Sequence, residues 1–189
     1  CVMAVMLFFT ATGARSGNMT LAVNALFMQL YLLYSHFMDG FAYAGEALVG
    51  KYAGAADKHS LRRCVSHLFA WGWSLAAIFA FAYGVFNHEV MSLFSDKPEV
   101  VAFAAAYRWW IALAPIAGMA AFIWDGVFVG LTATRQMLLS LAGATAVYFT
   151  IYFLFPLADA NDCLWTAFLA YLAVRGVILW LCFARENRY

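Results

Sequence analysis

Five apolar stretches, each long enough to cross a membrane, dominate this sequence of 189 residues. They cover about 21–50, 66–86, 101–131, 137–157 and 164–184, and a hydrocarbon core of ~30 Å needs ~20 apolar residues per helix. The breaks between them, at 54–63, 87–99, 132–136 and 159–162, have the composition of loops. An opening apolar run, 1–12, is shorter than a crossing requires. We interpret it as part of a sixth span, which predicts a chain that continues upstream.

Charged residues are scarce throughout the chain. They make up 11% of the sequence, compared with ~25% in an ordinary soluble domain, whereas 66% of residues are hydrophobic. So few charges cannot cover a water-facing surface. The sequence therefore predicts an all-α, polytopic membrane helix bundle of six spans, the first truncated. The four cysteines are too widely spaced for a zinc or disulfide pattern, so we predict no cofactor, and a net charge of +1 gives no indication of nucleic acid.

The basic residues of the loops are unevenly divided between the two sides of the predicted membrane. Alternate loops place Arg15 and Lys97 on one side and seven basic residues on the other. These seven are Lys51, Lys58, Arg62, Arg63, Arg135, Arg185 and Arg188. By the positive-inside rule the richer side is cytoplasmic. This predicts a bacterial inner-membrane protein whose two chain ends, as given, both lie in the cytoplasm.

Three ionisable residues, Asp39, Asp125 and Arg175, lie near the middle of predicted spans. At ~1.5 Å per residue, each is ~15–18 Å from the nearest basic residue at the end of its span. A charge at that depth costs ~2.5–3.5 kcal/mol on insertion scales, so each should face the protein interior or an aqueous cavity. Two explanations remain open. The acids either pair with Arg175 for structural reasons or take part in ion coupling and substrate contact.

One face of the second span is polar along its length. At ~100° per residue, five polar side chains fall within an arc of ~100°. This polar stripe consists of Gln29, His36, Asp39, Tyr43 and Glu46. This pattern predicts that the stripe lines an aqueous cavity, where carboxylates attract cations or carry protons. His36 is a candidate proton relay or, alternatively, an interhelical hydrogen bonder, and Glu46 is shallow enough to snorkel to the surface.

Small residues accompany both mid-span aspartates. Gly126 and Gly130 follow Asp125, and Gly40 and Ala44 follow the aspartate of the second span. Small residues four apart are typical of closely packed membrane helices, so we predict close helix contacts at both places.

Motifs of soluble enzymes are absent or incomplete. The run from Gly45 to Lys51 fits G-x-x-x-x-G-K, but Tyr52 takes the place of the magnesium-binding Ser or Thr of a P-loop. Neither H-E-x-x-H nor G-x-S-x-G occurs. The sequence therefore predicts neither ATP-driven transport nor an enzyme.

Three segments carry a likeness to a known family. They are Asp39-Gly-Phe-Ala-Tyr-Ala-Gly-Glu-Ala-Leu-Val-Gly50 with Ala53-Gly-Ala-Ala-Asp57, then Pro115 with Phe122-Ile-Trp-Asp-Gly-Val-Phe-Val-Gly130, and Arg175-Gly176. Together they resemble the multidrug and toxic compound extrusion (MATE) family, and most of all its DinF-like branch. The resemblance covers essentially the whole chain.

The resemblance implies a secondary transporter of twelve helices in two six-helix lobes, with this chain, 1–189, as the C-terminal lobe. Such a transporter exports cationic or amphipathic drugs and xenobiotics in exchange for H⁺ or Na⁺. Its partners are these ions and compounds, the lipid bilayer and an N-terminal lobe. Asp125 matches a tenth-helix carboxylate that sodium-linked relatives associate with Na⁺ binding. The DinF-like branch places its coupling aspartate in the first helix, which this chain lacks.

Two alternatives remain open. One is a lipid-linked oligosaccharide flippase of related fold, whose cavity should be richer in Arg and Lys than two mid-span acids and one base suggest. The other is a membrane-embedded enzyme or structural subunit, in which the buried charges only hold helices together.

Overall fold

The computed structural model describes residues 2–154 and 159–185, which form seven α-helices and no strand. The helices are α1 (Val2–Arg15), α2 (Asn18–Gly54), α3 (Lys58–Val85), α4 (Asn87–Phe94), α5 (Pro98–Gly130), α6 (Thr134–Leu154) and α7 (Ala160–Arg185). The prediction of an all-α fold is confirmed. Cys1, the end of the predicted span 137–157 and Arg188 lie outside the described residues.

Five of the helices, α2, α3, α5, α6 and α7, are long and apolar enough to cross a membrane. They correspond to the five long apolar stretches of the sequence. Helix α1 has 14 described residues, fewer than a crossing needs, as expected of the short opening run. Helix α4 was not predicted, because 87–99 was interpreted as a loop. Its formation buries Met91 completely and Asn87 almost completely.

The loop between α2 and α3 is shorter than predicted. Helix α2 continues to Gly54 and α3 begins at Lys58, so 58–63 are helical rather than part of a loop. Asp57 caps α3, since its Oδ1 accepts a 3.0 Å hydrogen bond from the backbone N–H of Ser60. Hydrogen bonds from Ser60 lower the pKa of Asp57. The cap is therefore at full strength above the ordinary carboxyl pKa and is lost as the pH falls through the lowered value.

The core is built around α5, which packs against α2, α3 and α7. The hydroxyl of Tyr34 on α2 donates a 3.0 Å hydrogen bond to the carbonyl of Pro115, and Glu46 lies beside Gly130. Residue numbers in the two helices therefore rise together, so α2 and α5 run parallel. Helices α5 and α7 are parallel as well, since Trp110 contacts Asp162 and Ala120 contacts Gly176. Three parallel helices thus form the centre of the bundle, and they carry Asp39, Asp125 and Arg175.

Helices α2 and α5 approach each other most closely at two glycines of α5. A Cβ atom on Gly126 would collide with the backbone of Ala42, and one on Gly130 would lie 2.6 Å from the carbonyl oxygen of Glu46. No larger residue fits at either position without separating the helices. The predicted close contact at this G-x-x-x-G pair is confirmed.

The matching prediction for Gly40 and Ala44 was wrong. A Cβ atom on Gly40 would have no neighbour within 4 Å, and Ala44 is exposed. Helix α2 instead turns the backbone at Ala42 toward α5, because the buried face of α2 is formed by other residues, Met38 and Gly45 among them.

Candidate functional site

Asp125 on α5 and Arg175 on α7 form an ion pair inside the bundle. Nη2 of Arg175 donates to Oδ2 of Asp125, and the two side chains are 14% and 23% exposed. The close approach of the helices depends on Gly176, where a Cβ atom would lie 2.8 Å from that of Ala120. The sequence left open which acid pairs with Arg175, and the structure shows that it is Asp125.

Three buried polar atoms at this pair have no hydrogen-bond partner among the described residues. They are Oδ1 of Asp125, Nε of Arg175 and the hydroxyl of Tyr171. A buried polar atom left unpaired costs ~1–3 kcal/mol, so three in one place are typical of a site that binds an ion, a water molecule or a ligand. Tyr171 was not among the residues predicted from the sequence. Its position four residues before Arg175, on the same face of α7, was the available signal.

Asp39 on α2 completes the group. It is half-buried and lies close enough to interact electrostatically with Asp125 and with the buried Tyr31. Asp39 has no ion-pair partner in the part of the chain that the structure describes. We refer to Asp39, Asp125, Arg175, Tyr31 and Tyr171 as the Asp125 cluster. With both acids and the arginine ionised, the cluster has one excess negative charge, which one proton or one monovalent cation would neutralise.

The polar stripe of α2 lies on the face that the other described helices leave open. Gln29, His36, Tyr43 and Glu46 are exposed, and Tyr43 is 70% exposed. Of the five residues of the stripe, the structure brings only Asp39 into the Asp125 cluster. The stripe therefore forms an open polar surface that leads to the cluster.

His36 makes its hydrogen bond within its own helix. Nδ1 donates to the carbonyl oxygen of Leu32, one turn earlier, at 2.6 Å. Since this bond occupies Nδ1, Nε2 is the nitrogen left for a bond to another helix or for a proton relay, and both alternatives for His36 stay predictions.

A second polar cluster lies near the start of α2. Nδ2 of Asn24 donates a 2.7 Å hydrogen bond to Oδ1 of Asn161, and Nε1 of Trp165 donates a 2.9 Å bond to Oδ1 of Asn24. The three residues, which we name the Asn24 cluster, are 3%, 1% and 0% exposed, respectively. These residues were not predicted from the sequence, because amides carry no charge and a buried amide has no distinctive sequence pattern.

Comparisons with known proteins agree with this architecture. The sequence profile of the family described as MatE matches residues 1–157. The chain belongs to the MatE family. DNA damage-inducible protein F of Escherichia coli (strain K12) is 31% identical over 179 residues, which are 95% of this chain and 39% of that protein. Protein DETOXIFICATION 43 of Arabidopsis thaliana is 24% identical over 167 residues, 88% of this chain and 32% of that protein.

Family membership decides several of the sequence predictions. The resemblance to the MATE family is confirmed, and the chain is part of a multi-pass membrane protein. The family consists of transporters rather than enzymes, so the alternative of a membrane-embedded enzyme is excluded. The chain spans less than half the length of the two relatives, which leaves the activity of the whole protein to be proposed.

Proposed function

We propose that the protein containing this chain is a secondary antiporter of a bacterial inner membrane. It exports cationic or amphipathic drugs and xenobiotics in exchange for H⁺ or Na⁺, and this chain supplies its C-terminal lobe. The observation that carries the proposal is the Asp125 cluster, a buried and incompletely hydrogen-bonded group with one excess negative charge at the end of an open polar face. Membership of the MatE family supports the same function.

The cluster provides a physical basis for exchange. One coupling cation neutralises its excess charge, and a cationic substrate that reaches the same carboxylates competes with that cation. Binding of either one favours the lobe arrangement in which it is bound more tightly, as alternating access requires. The open face of α2 is the surface on which a second lobe would close the cavity.

The position of Arg175 favours H⁺ over Na⁺ as the coupling ion. Its guanidinium already neutralises Asp125 and occupies Oδ2, so only Oδ1 remains free on that carboxylate. A hard metal cation needs several oxygen ligands, whereas a proton needs one acceptor atom. We therefore propose H⁺ as the coupling ion, with the carboxylate of Asp39 and the free Oδ1 of Asp125 as the acceptor atoms that the cluster offers.

Efflux of a cationic dye from cells that express the complete protein tests this function. Asp39→Asn and Asp125→Asn are compared with wild type, with pH and sodium varied separately and surface expression matched. We expect proton-dependent efflux to fall at least tenfold in Asp39→Asn and to be impaired in Asp125→Asn. Glu99→Gln, which removes an exposed carboxylate outside the cluster, is the matched control and should keep full activity.

Three results would contradict the proposal in different ways. Full activity in both aspartate variants would remove any coupling role from the cluster. Efflux that depends on the sodium gradient rather than on pH would show that the coupling ion is Na⁺ and not H⁺. Transfer of a lipid-linked oligosaccharide in place of dye would favour the flippase alternative.

A further inference from the structure

A cavity of about 440 Å³ lies between α2 and α3 and is lined by none of the residues of the Asp125 cluster. Its wall includes Arg63, His67 and Trp71 from α3 and Phe41, Leu48 and Tyr52 from α2. We name these six residues the basic groove. Its volume is within the range of ~300–1,000 Å³ that is typical of small-molecule sites.

The groove has a basic end and an apolar end. Arg63, His67 and Trp71 follow one another at intervals of four residues and therefore share one face of α3. At ~1.5 Å per residue they lie ~7, ~13 and ~20 Å from the start of the helix at Lys58. The basic side chains thus begin close to the end of the helix, and the aromatic wall continues toward its middle.

The surrounding charge is positive. Residues 51–67 include Lys51, Lys58, Arg62 and Arg63, with Asp57 as the single acid. The loop charges predict that this end of the bundle is cytoplasmic. Arg63 and His67 are both exposed and have no ion-pair partner in the described ranges. A basic side chain below the surface of a membrane is stabilised by an anionic partner, and the described residues supply none.

The groove faces away from the polar stripe of α2. At 100° per residue, its α2 residues are centred ~150° around the helix from the centre of the polar stripe. On the face of α3 that carries the groove residues, large apolar side chains are exposed, namely Trp71 (67%), Ile78 (63%) and Phe81 (61%). A surface of this composition is expected to contact acyl chains.

We propose that the basic groove binds one anionic phospholipid. The phosphate of its headgroup is held by the guanidinium of Arg63 and the imidazole of His67, since a guanidinium is suited to a phosphate. An acyl chain lies along Trp71, Phe41 and Leu48, with Tyr52 at the headgroup end. This site follows from the membrane location of the chain and does not depend on the proposed antiport.

Native mass spectrometry of the complete purified protein in detergent tests the site. Phosphatidylglycerol and phosphatidylcholine are titrated separately, and inorganic phosphate is added in a third experiment. We expect one phosphatidylglycerol to bind at least tenfold more tightly than phosphatidylcholine, and Arg63→Gln/His67→Gln to remove that preference. Arg135→Gln removes an exposed charge at the same predicted side of the membrane and should leave the preference unchanged.

A second pair of variants tests the apolar end without changing any charge. Ala44 lines the groove, so Ala44→Phe should fill it and weaken phosphatidylglycerol binding at least tenfold. Ala77→Phe, at an exposed position of α3 outside the groove, should bind lipid as wild type does. The proposal is overturned if both groove variants bind phosphatidylglycerol normally, if phosphatidylcholine binds equally tightly, or if inorganic phosphate displaces the lipid.

Discussion

The bundle contains two buried polar clusters that differ in charge, hydrogen bonding and exposure. The Asn24 cluster is neutral, almost completely buried and held by two short hydrogen bonds between helices α2 and α7, and one of its atoms, Nδ2 of Asn161, is unpaired among the described residues. The Asp125 cluster holds three charged side chains, is partly exposed and leaves three polar atoms unpaired among the described residues. Both clusters include residues of α2 and α7, so the contact between these helices does not by itself explain why one cluster carries charge.

The difference indicates separate roles. Neutral amides are buried at a lower energetic cost than charges, so they suit a permanent contact that specifies how helices meet. Charged groups with unpaired atoms are costly when buried, and they are the groups that exchange ions. We therefore infer a structural role for the Asn24 cluster and a functional role for the Asp125 cluster. Four predictions test this distinction.

The largest effect on stability is expected at Arg175. Arg175→Ala leaves Asp125 buried without its counter-ion, which should lower the free energy of unfolding by about 3–5 kcal/mol. The double variant Arg175→Gln/Asp125→Asn removes both charges and should recover most of that loss without restoring coupled transport. Thermal unfolding in detergent measures the stability. If the double variant is as unstable as the single one, the ion pair does not account for the loss.

Gly126→Ala should have the next largest effect. Its Cβ atom would collide with the backbone of Ala42, and overpacking of this kind costs about 1–3 kcal/mol. Gly40→Ala is the matched control, since its Cβ atom has open space, and it should be neutral or stabilising by up to about 1 kcal/mol through the higher helix propensity of alanine. Equal stability of the two variants would show that the close contact between α2 and α5 does not contribute measurably to the stability of the bundle.

Asn24→Leu should separate the two clusters by their effects on transport. Loss of both amide bonds should lower the free energy of unfolding by about 1–2 kcal/mol, as for other hydrogen bonds between membrane helices. Efflux per folded molecule should remain close to wild type, in contrast to Asp39→Asn. A tenfold loss of efflux without loss of folded protein would assign the Asn24 cluster a functional role.

The smallest effect is expected at Tyr107. Its hydroxyl donates a 2.9 Å hydrogen bond to Asp159 at the Asn24 end of the bundle. Tyr107→Phe should lower stability by about 0.6 kcal/mol, the average for such bonds in a membrane protein. Tyr43→Phe, at a side chain that is 70% exposed, provides the baseline and should not change the melting temperature. A loss above 2 kcal/mol would contradict the prediction that single hydrogen bonds near the Asn24 cluster contribute little to stability.

The amino-acid sequence by itself determined the helical class, the number of long spans, the acids and base that lie within them and the polar face of α2. These features follow from composition and periodicity, which depend on near neighbours in the chain. The close contact at Gly126 and Gly130 was predictable for the same reason. Helix ends were less predictable, because the capping of α3 by Asp57 extends the helix into a polar segment.

Only the tertiary structure decided which acid pairs with Arg175, that Gly40 has open space, and that Asn24 meets Asn161 across 137 residues of sequence. Each depends on the rotation and depth of one helix relative to another. Those quantities are set by side-chain packing over the whole interface between two helices. A local pattern gives the face of a helix that is polar or small, but the residue that it meets belongs to a distant part of the chain.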